Sequence, residues 1–205
     1  MLKNKFIIPS EKFSHNDNLI KKLWNEIILA HLSSQRYYHT LTHLKHIFEE
    51  FQDISLDKKE KNIIIFTTFY HDIIYDVSKS DNEIKSAILA KKRLLELEVP
   101  MTIIKQVVEL ILLTKTHHTT NNLCYQYFLD ADLSILGTTP ENYQKYTQQI
   151  RKEYQIYDDR SYKKGRTQVL EIFLKKKRLF QNDFFYEKYE KNAQKNIQNE
   201  LLQLK

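Results

Sequence analysis

Three groups of residues combine imidazoles and carboxylates at spacings that metal chemistry can use. The first is His39, His43 and His46. On a helix, His39 and His43 fall one turn apart on one face, and His46 lies three residues further on. Histidines four apart can share one ion, or one can bind it while the other faces a substrate; a structural role gives the same pattern. The second is His71–Asp72, inside the run Ile63–Ile74, which is apolar on nearly every side. A lone carboxylate buried there costs on the order of several kcal/mol or takes up a proton, so it needs a partner. A divalent metal shared with the adjacent imidazole is one such partner. A core histidine hydrogen-bonded to its neighbouring aspartate is the plainer account. The third group is Asp130 and Asp132, within Leu129–Gly137. Two apart on a helix, they point about 200° apart and cannot do the same job. Asp132 shares a face with Phe128, Ile135 and Leu136 and is the one expected to be buried. Asp130 sits nearer the expected helix start, where the macrodipole alone favours a carboxylate.

To position these groups the composition offers helices and little else. The 205 residues contain two glycines (Gly137, Gly165) and three prolines (Pro9, Pro100, Pro140) amid abundant Lys, Glu, Leu and Ile. That balance predicts an all-α protein and leaves no glycine-rich phosphate loop of either the dinucleotide-binding or the P-loop kind. Residues 1–15 read as an irregular lead-in. The apolar spacing predicts a helix over 18–32, a break at Ser33–Arg36, and a second helix from Tyr37 to about Phe51. The central helix is expected from about Lys58 to Ile74, with a loop at Tyr75–Lys79. Ser80 and Glu83 have the form of a capping box opening a helix to about Leu97. Pro100 opens the next helix, which ends before His117–His118. A helix from Tyr125 to Leu136 is expected to close at Gly137, and another follows Pro140. Tyr157–Gly165 reads as irregular, followed by helices over 167–180 and 184–204. The expectation is one domain over 1–205, a bundle of eight or nine helices, with the chemistry in 36–137 and a C-terminal helical extension in 140–205.

The formal charge is +6 and the pI about 9.1. This fits a phosphate-bearing substrate, although a solvated lysine-rich surface is the plainest reading. No groove-reading motif appears, so nucleic acid is not an expected partner. A single cysteine, Cys124, excludes an internal disulfide and suits a reducing compartment. Residues 1–9 are too short for a signal sequence and no apolar run reaches spanning length, so the expected location is cytoplasmic, away from membranes.

The order His43, His71–Asp72, Asp132 resembles the H…HD…D pattern of the HD superfamily of metal-dependent phosphohydrolases. More closely, the chain is similar to a small bacterial family of predicted HD phosphohydrolases. The matching segments are Arg36–His43, Phe69–Asp76, Asp81–Ala87, Thr114–His118, Leu129–Gly137, Ile150–Tyr154 and Gly165–Leu170. The resemblance implies an HD-type helical bundle in which His43, His71, Asp72 and Asp132 hold one divalent ion (Mn, Fe, Co, Ni, Zn or Mg). It further implies hydrolysis of a phosphoester, with a nucleotide the expected substrate, by a metal-activated water. By analogy with the cyclic-nucleotide phosphodiesterases, whose Tyr-His-Asn-x2-His segment resembles Tyr38–His43, His39 would be the general acid. The chain departs from better-known relatives in lacking a Gly-Tyr-Pro signature and in carrying Tyr75–Asp76 where alarmone hydrolases have Glu-Asp.

Other groups have two readings each. Glu83 could orient water or join a second ion, or simply complete the capping box. His117 and His118 leave a helix end where some HD enzymes add second-metal ligands, or they stabilise that helix terminus. Lys115, Arg151 and Arg166 could contact substrate phosphate, arginine best through its bidentate fork; for Lys115 a solvated surface is the plainer role. Two other functions fit the same residues: a non-catalytic, metal-stabilised nucleotide-binding module, and a di-iron oxygenase, which needs six protein ligands rather than four.

Overall fold

The computed structural model describes residues 2–205. It is all-helical, with ten α-helices, one 3-10 turn and no strand among the described residues. The chain divides into two compact units, one ending at His118 and one beginning at Thr119.

The first unit holds α1 (Leu2–Glu11), α2 (Asp17–His31), α3 (Leu41–Glu50), α4 (Lys58–Tyr70), α5 (Asn82–Glu96) and α6 (Met101–Leu113). The lead-in expected to be irregular is helix α1. Its single deeply apolar anchor, Phe6, is fully buried and packs on Trp24 and edge-on to Phe69, with ring centroids 6.1 and 5.3 Å away. Tertiary burial thus overrides a segment whose sequence carries no clear helical stripe.

Helix α4 is the axis of this unit. Asp57 and Glu60 form a reciprocal capping box, Glu60 N–H donating to Asp57 Oδ1 at 2.8 Å and Asp57 N–H to Glu60 Oε2 at 2.9 Å. From Asn62 to Tyr70 all residues but Ile65 are buried, so α4 meets neighbours on nearly all sides: α1, α3, α5 and α6. It ends at Tyr70, four residues before the expected end. His71 is its C-cap, and Asp72 lies beyond it in a tight turn. Ser86 of α5 secures that turn: its hydroxyl accepts from Ile74 N–H at 3.1 Å and lies 3.3 Å from Ile74 O.

The second unit holds α7 (Leu123–Leu133), the 3-10 turn Ser134–Gly137, α8 (Pro140–Glu153), α9 (Asp159–Lys175) and α10 (Asp183–Leu204). Gly137 sits where α10 comes too close for a side chain: a Cβ there would lie 2.5 Å from Tyr189 Cβ and 2.6 Å from its carbonyl oxygen. Asn196 of α10 ties down the same turn, its Nδ2 donating to Leu136 O and Thr138 O, each at 2.9 Å. The stretch Tyr157–Gly165, expected to be irregular, is largely helical. Asp158 caps α9 by accepting from Ser161 N–H at 2.9 Å, and Gly165 lies inside that helix.

Candidate metal centre

Thr40 caps α3 by accepting from Thr42 N–H at 3.3 Å. His39 therefore precedes the helix, and the expected shared helical face of His39 and His43 is not what joins them. Their rings still stand 5.6 Å apart, centroid to centroid, because the turn before Thr40 folds His39 back. His43 faces inward from the first turn of α3, and His71 faces it from the end of α4, with the two Nε2 atoms 3.3 Å apart.

The tautomer of His71 follows from its other nitrogen. Nδ1 lies 3.0 Å from Thr68 O, and a carbonyl only accepts, so Nδ1 carries the proton and Nε2 presents a lone pair. Orientation of a ligating imidazole through a carbonyl is the usual support for a metal ligand. Asp72 Oδ2 lies 3.1 Å from His71 Nε2 and 3.9 Å from His43 Nε2. Donors about 2.1 Å from a common ion stand roughly 3.0–3.4 Å apart at right or tetrahedral angles. Two of these three separations fit that range, and the third needs a wider angle.

His43, His71 and Asp132 are a group that could hold a metal ion. Of the sequence-derived ligands, His43, His71 and Asp72 cluster by direct atomic distances within the first unit. The donor chemistry, two imidazoles and carboxylates, suits a borderline divalent ion.

Exposure divides the site into a floor and a rim. The His43 and His71 side chains are 2 % and 1 % exposed, whereas His39 and Asp72 are 18 % and 19 % exposed. Only the latter two are open to an incoming molecule. His39 Nε2 stands 3.9 Å from Asp72 Oδ2. Its ring lies tilted by 33° against Tyr75 at 4.2 Å and meets Tyr38 edge-on at 4.9 Å, centroid to centroid.

The burial expected of the two aspartates is reversed. Asp130 is fully buried late in α7, not near a helix start, and Asp132 is half-buried. Asp130 accepts from Gln181 N–H at 2.9 Å and Asn182 N–H at 2.7 Å, anchoring the loop that leads into α10. Burial pushes its carboxyl up to about 7, against the pull of those two donors.

The remaining candidates have contacts of their own. Glu83 and Lys115 are brought to each other, with Lys115 Nζ 3.5 Å from Glu83 Oε2 and also donating to Ser80 O. The capping box expected of Ser80 and Glu83 does not form: Asp81 takes the N-cap position, without a side-chain bond. His117 occupies the left-handed region at φ 48°, and His118 Nδ1 lies 3.0 Å from Thr116 Oγ1. Arg151 braces the junction of α8 and α9, bonding Asp159 Oδ1 at 2.6 Å and Tyr154 O at 3.0 Å. Arg166 is buried in a network of its own unit. It forks onto Glu200 at 2.8 and 3.0 Å, and Glu200 also receives the Tyr143 hydroxyl.

Sequence reasoning gave no role to Arg36 or Tyr75. Arg36 lies in what reads as a polar helix break, and only its position three residues before His39 hints at a part in the site. No protein-family model matches the chain, and neither does any curated protein or solved structure.

Proposed function

We propose that this chain is a metal-dependent phosphohydrolase of HD type, in which His43, His71, Asp72 and Asp132 hold one divalent cation and a phosphoester, a nucleotide being the expected class, is cleaved. The observation that carries this reading is the convergence of His43 Nε2, His71 Nε2 and Asp72 Oδ2 at 3.3, 3.1 and 3.9 Å beneath a half-open rim.

A cation held there supplies Lewis acidity, lowering the pKa of a water and neutralising phosphoryl oxygens. The chain's own residues do the rest. The Thr68 carbonyl keeps the His71 proton on Nδ1, so its inner nitrogen stays available. Asp72 Oδ2 stands at the rim, 3.9 Å from His39 Nε2. His39, reachable from solvent and steadied by Tyr75 and Tyr38, is placed to act as the general acid towards a leaving alkoxide. Because the glycine-poor sequence offers no amide cradle, phosphate recognition falls to the cation.

The test is elemental analysis of the purified protein, then assay of metal-reconstituted protein against p-nitrophenyl phosphate and a nucleotide panel. About one ion per chain with phosphoester turnover supports the proposal. Ligand-induced thermal stabilisation with no turnover points instead to the nucleotide-binding module, and two irons per chain to the di-iron oxygenase.

A further inference from the structure

The residue that organises this site is neither a ligand nor an acid. Arg36 is buried, 8 % exposed, and its guanidinium donates to backbone carbonyls on both segments of the site. Nη1 bonds Asp72 O at 2.7 Å and His39 O at 3.3 Å, and Nη2 bonds Ile73 O at 3.0 Å. The carbonyls of Asp72 and Ile73 belong to the two peptide planes that follow the Asp72 and Ile73 side chains, and that of His39 to the plane leading into the Thr40 cap. One planar cation therefore fixes the turn that aims Asp72 at the two imidazoles and the turn that carries His39. The same guanidinium lies over the Tyr75 ring at 5.4 Å, and that ring also meets His39, with centroids 4.2 Å apart.

From this geometry we infer that Arg36 is the positioning residue of the metal centre: it locks the His39 turn to the His71–Asp72 turn and so sets the arrangement of the donor atoms. The inference rests on the metal-site reading proposed above. Arginine suits the task for stated reasons. Its charge persists at any physiological pH, its donors spread in one plane so that three carbonyls can be met together, and its cation complements the carbonyl-rich end of α4. Lysine offers a point charge that cannot span the same acceptors.

The experiment loads metal-free protein with Co²⁺ and reads the affinity and the d–d absorption, whose position and intensity report coordination geometry. Arg36→Lys and Arg36→Ala are compared with wild type and with Arg93→Gln, which breaks the ion cluster of Arg93 with Glu26 and Glu96 on α2 and α5 and leaves the site alone. Loss of an outer support of this kind weakens metal binding about 10- to 100-fold. The expected result is that loss in both Arg36 variants with an altered Co²⁺ spectrum, partial restoration of the Arg36→Ala spectrum by sub-denaturing guanidinium, and an unchanged spectrum in Arg93→Gln. Circular dichroism confirms folding, and should Arg36→Ala not fold, Arg36→Lys alone decides. Wild-type affinity and spectrum in folded Arg36→Lys overturn the inference while leaving the metal site standing. Absence of Co²⁺ binding by wild type overturns the metal reading itself.

Discussion

At the scale of single residues, the proposed metal binding and the proposed proton delivery fall on different side chains, and the two can be tested apart. Removing the Asp72 carboxylate takes away the charge that compensates a cation beside two neutral imidazoles. Asp72→Ala is expected to lose bound metal and phosphoester turnover together; an undiminished metal content by elemental analysis would remove Asp72 from the ligand set. His39 stands at the rim, 3.9 Å from Asp72 Oδ2. His39→Ala is expected to keep its metal and lose turnover by about 10²- to 10⁴-fold, the usual worth of a general acid. A leaving group that needs no proton, such as p-nitrophenolate, should suffer far less than an alkyl phosphoester.

His31 carries a separate, pH-linked prediction. It is buried in α2, with Nδ1 2.9 Å from Ile27 O, so it holds its proton there, and its Nε2 has no hydrogen-bond partner among the described residues. Burial, opposed only in part by the Ile27 carbonyl and Asp72 and reinforced by the charge of Arg36, pushes its pKa down from 6.5 to about 3. The folded state thus keeps the ring neutral while the unfolded chain protonates it near 6.5. The stability this contributes is whole above pH 6.5 and declines by about 1.4 kcal/mol per unit as pH falls from there towards 3. Urea titrations between pH 7 and 4 should show that slope in wild type and a shallower one in His31→Phe.

At the scale of elements, the two glycines give opposite expectations. A methyl group at Gly137 would collide with the Tyr189 backbone and Cβ, so Gly137→Ala must push α10 away from the 3-10 turn. A cost of about 1–3 kcal/mol follows, with loss of the two Asn196 bonds. At Gly165, inside α9, a Cβ meets nothing within 4 Å. Gly165→Ala should therefore stabilise the helix by about 0.5–1 kcal/mol. Calorimetric midpoints that move the same way in both variants would contradict this account. The same contrast shows what sequence could tell. A helix-ending role for Gly137 is close to its place in the chain, where a 3-10 turn closes, but the physical demand is space for Tyr189, which lies in another helix. Gly165 reads as a breaker only because the sequence does not reveal that its neighbours carry the helix past it.

At the scale of the whole molecule, a bound ion should act as a folding ligand. At a hundredfold excess of Mn²⁺ or Zn²⁺ over its dissociation constant, stabilisation is about 2.7 kcal/mol, or roughly 5–10 °C in a chain of this size. Calorimetry with metal and with chelator checks this; identical traces would argue against a site coupled to the fold. No helix is long and apolar enough to cross a membrane among the described residues.

The sequence alone determined the helical class, since so few breakers and so much Leu, Ile, Lys and Glu leave no other regular structure. It also drew attention to His39, His43 and His46, to His71–Asp72 and to Asp130 with Asp132, but the ligand set His43, His71, Asp72 and Asp132 came from the resemblance to the HD superfamily. Only the tertiary structure decided the rest. It ended α4 at Tyr70, so that His71 and Asp72 leave the helix, and buried Asp130 rather than Asp132. It turned Glu83 and Lys115 towards each other and enclosed Arg166 with Glu200. It also gave Arg36 three carbonyls from two distant stretches of chain. Each of these outcomes depends on which groups meet in space, and periodicity along one helix holds no information about the partner that another element will bring.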